Sequence, residues 1–282
     1  MSSDNISTPP SKTYKPLWPV LVTGASGQLG RVLAKSLGDL GWDLRLTDVM
    51  PFPDPLPPNA TFTLADLGTR EGETAIESAG KGCRAIIHLG AVSTEHPFDD
   101  ILGPNIVGAR WIYEFARQEK ARVILASSNH AFGFHKREEE PLNAHGCEYL
   151  PDGEYGLSKV FGECVAKLCW MKYGTESVVV RIGSCFERPR DARMLSTWLS
   201  HRDFVDLCIK GVMADKVGLI YIWGCSNNKR SFWGTDDRSV IGWEPMDSAD
   251  EYTEELKDKK SDDTIAETYQ GGGFAATNYT NV

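Results

Sequence analysis

The chain alternates between short apolar runs and longer segments in which apolar residues recur every three or four positions. The apolar runs predict β-strands at residues 20–22, 44–48, 61–64, 84–91, 122–128, 177–181 and 218–223. Helical spacing predicts one helix that begins near residue 28 and others at residues 71–79, 97–120, 155–173 and 201–214. Because strands that alternate with helices form parallel sheets covered on both faces, we expect a doubly wound α/β fold.

Small and polar residues follow several of the predicted strands. Ligands of doubly wound sheets bind at the carboxyl ends of the strands. We therefore expect the residues at these ends to surround one crevice, namely Asp48, Asp66, Leu67, Leu89, Gly90, Ala91 and Ser93. His88 lies inside its predicted strand, and we interpret it as a core histidine rather than a ligand.

Three glycines with the spacing G-x-x-G-x-x-G connect the first strand to the first helix. In this motif Gly24 permits a tight turn, Gly27 lets the backbone approach a pyrophosphate, and Gly30 lets the helix pack closely against the strand. The free N–H groups at the start of the helix then face the phosphates. A strand, this turn and a helix together predict a dinucleotide site in a Rossmann-type fold.

The end of the second strand indicates which dinucleotide binds. Asp48 lies 18 residues beyond Gly30, close to the ~20 expected for the acid that holds the adenosine ribose hydroxyls. A 2′-phosphate beside this carboxylate would cost up to ~4 kcal/mol at ~4 Å and an effective dielectric of ~20. Arg45 is placed too far along the strand to compensate. We therefore predict NAD rather than NADP.

Tyr155 and Lys159 lie one helical turn apart, so they share one face of their predicted helix. A free tyrosine has a pKa of ~10 and is a poor base at neutral pH. A nearby ammonium, a bound nicotinamide cation and hydroxyl donors would favour the phenolate, which can then act as a general base. Together with the glycine motif and a serine at the end of the fifth strand, this pair predicts a catalytic site.

Composition excludes several classes of function. The chain has 282 residues, a net charge of −9 and no basic cluster, which argues against nucleic-acid binding. No apolar run approaches the ~20 residues of a membrane span, and residues 1–5 lack a signal pattern. Seven cysteines without C-x-x-C spacing predict reduced thiols in the cytoplasm, with Cys164, Cys169 and Cys208 in helix cores. Six histidines without H-x-x-x-H spacing predict no metal site.

The chain divides into three predicted parts. Residues 1–16 are rich in Ser, Thr, Pro and Lys and predict a disordered leader. Residues 17–249 form the catalytic domain, with substrate-binding insertions at about 182–215, and residues 250–282 form a tail or lid. Phe274 either folds over the substrate or lies in a frayed tail. The proline-rich segment 51–58 is either a wall beside the adenosine or a plain connector.

Longer runs resemble a known family. The glycine turn, Asp48, Asn105, Ser128 and the Tyr155–Lys159 pair occur in the order found in extended short-chain dehydrogenases/reductases. The runs at residues 126–130, 155–163, 181–185, 193–201 and 270–274 are similar to uronate dehydrogenases. This resemblance implies NAD-linked oxidation of D-galacturonate or D-glucuronate at C1 to the aldarolactone.

The resemblance also implies roles for individual residues. Tyr155 would take the C1 hydroxyl proton, Ser128 would hydrogen-bond the same oxygen, and Lys159 would tune Tyr155 and hold the nicotinamide ribose. The implied cofactor-binding residues are Gly24, Gly27, Gln28, Leu29, Gly30, Asp48, Asp66, Leu67, Leu89, Gly90, Ala91, Tyr155, Lys159 and Ile182. The implied substrate-binding residues are Ser93, Ser128, Asn129, His130, Ser184, Arg193 and Phe274. A guanidinium suits bidentate pairing with a carboxylate, and the resemblance favours Arg193 for this role over its neighbours Arg188 and Arg190.

Two other functions stay open. A sugar epimerase or dehydratase with tightly held NAD would produce no net NADH, and His130 would serve as its proton shuttle. A redox-sensing binding module is the third possibility, although both Tyr155 and Lys159 are present. The superfamily tends to oligomerise through its long helices, which makes the predicted helices at 97–120 and 155–173 candidate interfaces of a homo-oligomer.

Overall fold

The structure is a computed structural model that describes residues 15–280. Nearly all of the predicted disordered leader therefore lies outside the described residues. A seven-stranded sheet has the order β3-β2-β1-β4-β5-β6-β9, and every neighbouring pair is parallel. The sheet strands are β1 (Val20–Thr23), β2 (Leu44–Asp48), β3 (Ala60–Leu64), β4 (Ala85–His88), β5 (Arg122–Ser128), β6 (Ser177–Ile182) and β9 (Leu219–Gly224). Two short strands, β7 (Ser184–Cys185) and β8 (Trp198–Leu199), pair separately.

Helices cover both faces of the sheet. They are α1 (Gln28–Asp39), α2 (Arg70–Gly80), α3 (Phe98–Ile101), α4 (Ala109–Glu119), α5 (Glu154–Tyr173), α6 (Met194–Thr197), α7 (His201–Met213), α8 (Thr253–Leu256), α9 (Thr264–Thr268) and α10 (Gly273–Ala276). Short 3₁₀ turns occur at Asn129–Phe132, Arg238–Ile241 and Ala249–Tyr252. Within residues 15–280, no helix combines the length and the apolar character that a membrane crossing requires.

The core consists of two apolar layers, one on each face of the sheet. Successive strand residues point to opposite faces, so Val20 and Val22 contribute to one layer and Leu21 to the other. Helices α1 and α7 cover the first layer, and α4 and α5 cover the second. Burial on both faces explains why the strands are nearly continuous apolar runs rather than alternating ones. The predicted doubly wound fold is confirmed.

The helix predicted at residues 97–120 is interrupted. Its central part, Leu102–Gly108, is π-helical and joins α3 to α4. Pro104 has no backbone N–H and would clash with the preceding turn of a regular helix, which favours a local widening of the hydrogen-bond pattern. The widened turn places Asn105 inward, where its side chain bonds Val92 and Ser158.

The cysteine prediction is wrong at one position. Cys169 and Cys208 are buried as expected, whereas Cys164 is exposed on α5. All seven cysteines are free thiols, and burial raises the pKa of Cys83 to about 12. In the described part of the chain, no group of three or more His, Cys, Asp or Glu side chains is arranged to hold a metal ion.

His88 is a core residue, as expected. Its ring nitrogen Nδ1 lies 2.7 Å from the hydroxyl of Thr23 on the neighbouring strand. Burial lowers the pKa of His88 to about 3, so the ring is neutral at physiological pH.

The proline-rich segment 51–58 serves as a connector. Phe52 packs against Phe62, and Asp54 forms an exposed ion pair with Arg31 of α1 at 2.6 Å. Pro57 packs so closely on α1 that a Cβ built at Gly38 would lie 2.5 Å from it. These contacts fix the segment against α1 rather than beside the cavity described below.

The C-terminal segment is docked against the body of the protein. Arg137 donates to the carbonyls of Ala266 and Tyr269 and pairs with Glu267 at 2.7 Å. Gln270 is 1 % exposed and accepts a hydrogen bond from Trp233 Nε1. The division into a catalytic domain (17–249) and a tail (250–282) stays a prediction, but residues 264–276 are packed rather than frayed.

A buried ion pair joins the strands and the helix that carry the predicted catalytic residues. Arg181 on β6 pairs with Glu163 on α5 at 2.8 Å, and their side chains are 3 % and 0 % exposed. Glu163 also accepts hydrogen bonds from Ser127 and Tyr149. The guanidinium lies over four aromatic rings, those of Phe132, Tyr149, Tyr221 and Trp223. Arg181 therefore has the structural role that its position in a core strand predicts.

We expect Glu163→Gln to lower the free energy of unfolding by about 3 kcal/mol, because it leaves the buried Arg181 without its countercharge. Chemical denaturation measures this loss. The matched control is Glu114→Gln, which breaks an exposed pair with Arg117 and should cost less than about 1 kcal/mol. Equal losses in the two variants would contradict a structural role for the buried pair.

Candidate active site

One cavity of about 1090 Å³ opens along the carboxyl edge of the sheet. Its lining includes every predicted cofactor-binding and catalytic residue, and every predicted substrate-binding residue except Asn129. The parallel arrangement explains this grouping, because all seven strands end at the same edge. Residues up to 251 positions apart in the sequence, from Thr23 to Phe274, thus line a single space.

The glycine turn brings the backbone of two strands into contact. Gly24 has a φ of +70°, and a Cβ built on it would lie 2.7 Å from the backbone nitrogen of Gly90. A Cβ at Gly30 would lie 2.2 Å from the carbonyl oxygen of Gly24. A side chain at Gly24 would push the ends of β1 and β4 apart, and one at Gly30 would push α1 away from the turn. The turn therefore fits a pyrophosphate bound at the N-terminus of α1.

Asp48 is held in place by the backbone. Its carboxylate accepts hydrogen bonds from the N–H groups of Ser26 and Met50, each at 2.9 Å. Arg45 points elsewhere, because its guanidinium contacts Asp43 and Thr61. The carboxylate thus meets the cavity without a neighbouring arginine that would accommodate a 2′-phosphate, in agreement with the prediction of NAD.

Ser128, Tyr155 and Lys159 come together at the centre of the cavity. Ser128 ends β5, and Tyr155 and Lys159 lie on the first turns of α5. Lys159 Nζ donates to the carbonyl of Ala126 at 2.9 Å and lies 5.3 Å from the centre of the Tyr155 ring. The ammonium is thus placed beside the phenol by a strand carbonyl.

Burial dominates the acid–base properties of this pair. It raises the pKa of Tyr155 to about 12, although a hydrogen bond with Ser128 acts in the opposite direction. It also lowers the pKa of Lys159 to about 8. The activated tyrosine that we expected is therefore not a property of the protein alone, because burial disfavours the phenolate more than the protein's own groups favour it.

The N-terminus of α5 is capped from a distant loop. The carboxylate of Glu95 accepts hydrogen bonds from the N–H groups of Glu154 and Tyr155, at 2.8 and 3.0 Å. This contact ties the loop that carries Ser93 to the helix that carries Tyr155. Nothing in the spacing of Glu95 predicted this role, since the two partners are about 60 positions apart.

His130 and Phe274 form an aromatic wall beside Tyr155. The rings of His130 and Phe274 stack with centres 4.0 Å apart and an interplanar angle of 17°. Each ring also meets Tyr155 edge-on, at 5.8 and 6.0 Å. Phe274 therefore lines the cavity from the packed C-terminal segment rather than lying in a frayed tail, and its contact with the substrate stays a prediction.

Arg193 is the arginine that lines the cavity. Its Nε donates to the carbonyl of Gln270 at 2.6 Å, and its Nη1 donates to Ser184 Oγ at 3.3 Å. Burial lowers the pKa of Arg193 to about 10, and no carboxylate within residues 15–280 forms an ion pair with it. The charges of Asp191, Asp152 and Glu267 act on Arg193 only from beyond ion-pair distance, so this partly buried guanidinium is suited to an anionic ligand.

Arg188 and Arg190, the two other candidates for the substrate carboxylate, lie outside the cavity. Arg188 pairs with Glu255 at 3.2 Å and remains exposed, and Arg190 is exposed and lies 3.9 Å above the ring of Phe186. Neither residue lines the cavity.

Asn129 occupies a different place from the one expected. It is 2 % exposed and does not line the cavity. When the Asn129 amide is oriented so that its oxygen and nitrogen both have partners, the nitrogen donates to the carbonyl of Ile182 at 3.0 Å. The oxygen then accepts from Arg193 Nη2 at 2.8 Å. Asn129 thus supports Arg193 from behind, because the 3₁₀ turn after β5 directs its side chain into the protein.

Comparisons with known proteins agree with this site. Residues 20–240 match the model of the NAD dependent epimerase/dehydratase family. The uronate dehydrogenase of Pseudomonas putida is 40% identical over 266 residues, which cover 93% of this chain and 97% of that protein. The crystal structure of uronate dehydrogenase from Agrobacterium tumefaciens is 38% identical and has a TM-score of 0.85, covering 93% of this chain and 97% of that one.

A mutant of the Agrobacterium enzyme complexed with NAD has a TM-score of 0.84 and is 38% identical, covering 92% of this chain and 97% of that chain. The matched regions cover more than nine-tenths of this chain, so they include both the cofactor half of the fold and the segment that carries Arg193. The chain therefore belongs to the NAD dependent epimerase/dehydratase family, within which it groups with the uronate dehydrogenases.

Proposed function

We propose that this protein oxidises D-galacturonate or D-glucuronate at C1 to the corresponding aldarolactone, with NAD as the hydride acceptor. The observation that carries the proposal is the position of Arg193, which forms no ion pair with any carboxylate of residues 15–280 and lies in the same cavity as Ser128, Tyr155 and Lys159. A uronic acid offers both a carboxylate for the arginine and a C1 hydroxyl for the tyrosine. The names of the relatives support the same reaction.

The residues present fit NAD. The close backbone contacts at Gly24 and Gly30 leave room for a pyrophosphate at the start of α1, and Asp48 is placed for the adenosine ribose hydroxyls. When bound, NAD would supply the hydride acceptor and the positive charge of its nicotinamide ring.

Tyr155 is the proposed general base. It takes the proton of the C1 hydroxyl while the C1 hydrogen leaves as hydride, and Ser128 donates a hydrogen bond to the same oxygen. From a pKa of about 12, a value near 8 requires roughly 5 kcal/mol of added stabilisation of the phenolate. The Lys159 ammonium and the cationic nicotinamide are the groups able to contribute it, so the tyrosine becomes a base only in the loaded enzyme.

The substrate is proposed to lie between Arg193 and Tyr155. Arg193 pairs with the carboxylate, supported from behind by Asn129 and from the tail by Gln270. Ser93, Ser184 and His130 line the same space and bind sugar hydroxyls. Phe274 covers the site and excludes water from the reacting atoms.

A homo-oligomer and a cytoplasmic location stay predictions. Exposed apolar side chains on α5, one of the two expected interface helices, support a homo-oligomer. Leu157, Leu168 and Met171 on α5 are exposed by 48%, 47% and 75%.

The proposed reaction is tested by following NADH absorbance with purified protein, NAD and four sugars. Galacturonate and glucuronate should yield NADH, whereas galactose and glucose should not, because they lack the carboxylate for Arg193. No NADH with either uronate would overturn the proposal, and conversion of a sugar without NADH accumulation would favour the epimerase alternative.

Replacing the base should stop the chemistry and spare the cofactor. We expect Tyr155→Phe to lower kcat by about 10²–10⁴-fold, because the variant cannot accept the C1 proton. NAD affinity, measured by fluorescence titration, should remain within a factor of three. Substantial turnover by Tyr155→Phe would show that another group is the base.

Removing the inward guanidinium should weaken uronate binding. We expect Arg193→Ala to raise the KM for uronate by roughly 10- to 100-fold, corresponding to the ~1.5–3 kcal/mol of a charged hydrogen bond. Steady-state kinetics of Arg190→Ala provide the control, because this neighbour is exposed and outside the cavity. An unchanged KM in Arg193→Ala would assign the carboxylate to another residue.

A further inference from the structure

Asp152 is a buried carboxylate with one side-chain partner. Its side chain is 0 % exposed, and Oδ2 lies 2.7 Å from Nδ1 of His130. Its second oxygen, Oδ1, is buried and makes no hydrogen bond to any described residue. Removing a carboxylate from water costs free energy, and the hydrogen bond with His130 is the side-chain contact that offsets this cost.

Two glycines from different parts of the chain hold the carboxylate in place. A Cβ built at Gly133 or at Gly271 would lie 1.9 or 1.8 Å from Asp152 Oδ2. The two glycines are themselves joined by a hydrogen bond from Gly271 N–H to the Gly133 carbonyl at 2.9 Å. The C-terminal segment therefore closes a slot around the carboxylate, and neither a longer side chain nor a shifted one fits there.

The contact determines which nitrogen of His130 carries the proton. A carboxylate accepts hydrogen bonds, so Nδ1 must be the donor. In a neutral ring Nε2 then keeps its lone pair and is an acceptor. His130 lines the cavity, and Nε2 makes no hydrogen bond to the described residues.

The orientation of the ring is fixed as well. Phe274 stacks on one face of His130, and the backbone N–H of His130 is bonded to Ser128 Oγ at 3.2 Å. Stacking on Phe274 sets the plane of the imidazole, and the bond from Nδ1 to Asp152 sets which nitrogen faces the carboxylate, so exchanging the two nitrogens would break that bond.

We propose that Asp152 is a positioning residue for substrate orientation: it fixes His130 as the tautomer protonated on Nδ1, so that Nε2 accepts a hydrogen bond from a hydroxyl of the sugar. This inference rests on the proposed function for the identity of the ligand. A lone pair at Nε2 repels a carboxylate and attracts a hydroxyl. The uronate is thereby turned so that its carboxylate meets Arg193, which places C1 at Tyr155.

The tautomer is measured directly by long-range ¹H–¹⁵N NMR on histidine-labelled protein at pH 8, with the His130 signals assigned by their loss in His130→Gln. We expect a protonated Nδ1 and an unprotonated Nε2. A ring protonated on Nε2 alone, or on both nitrogens, would overturn the proposal. The measurement needs no substrate, so it decides the role of Asp152 even if uronate oxidation fails.

Asp152→Asn keeps the size of the side chain and changes what it offers to His130. An amide can donate to Nδ1 and so stabilise the opposite tautomer. We expect an Nε2-protonated signal to appear and the KM for uronate to rise about 10-fold. The charge of Asp152 raises the pKa of Tyr155 only as a minor contribution beside burial, and Asp152 contacts neither the reacting atoms nor the cofactor. The kcat and the affinity for NAD should therefore each change by less than about 3-fold.

The chain offers a matched control in Asp237→Asn. Asp237 Oδ2 lies 2.7 Å from Nε2 of His145, the same distance as in the Asp152–His130 pair, but neither residue lines the cavity. Its kinetics should match the unmodified protein. If Asp152→Asn lowers kcat and NAD affinity to the same extent as it raises the KM for uronate, the role of Asp152 is merely structural and the proposal is rejected. An unchanged KM for uronate would also reject it.

Discussion

The buried pair of Arg181 and Glu163 is the contact on which the active site depends. It joins β6 to α5, and through Ser127 it reaches the end of β5. Those elements carry Ser128, Tyr155 and Lys159. The cost of removing two charges from water is offset by short hydrogen bonds and by the four aromatic rings around the guanidinium. A shift of α5 relative to β6 would break this pair, so the pair fixes the positions of Tyr155 and Lys159 relative to the sheet.

The C-terminal segment provides the remaining contacts around the cavity. Gln270 holds Arg193, Gly271 closes the slot around Asp152, and Phe274 stacks on His130. The contacts that pack the tail are therefore also the contacts that hold the proposed substrate-binding residues in place. This arrangement lets a chain of modest size enclose a small sugar acid without a separate substrate domain.

Burial divides the work of catalysis between protein and cofactor. The protein places Tyr155 beside Lys159 and Ser128 but raises the pKa of the phenol to about 12. In the proposed mechanism, Tyr155 stays protonated without the cofactor, and the cationic nicotinamide of NAD supplies further stabilisation of the phenolate.

The sequence by itself determined those parts of the site that lie within one short segment of the chain. The glycine turn, Asp48 at the end of its strand, and Tyr155 one helical turn from Lys159 all follow from periodicities of the backbone. The tertiary structure alone decided the π-helical turn around Asn105, the withdrawal of Asn129 behind Arg193, and the meeting of Asp152, His130 and Gly271. Those residues act through contacts between segments that are distant in the chain, and such contacts leave no period in the sequence because they exist only once the sheet and the tail have packed.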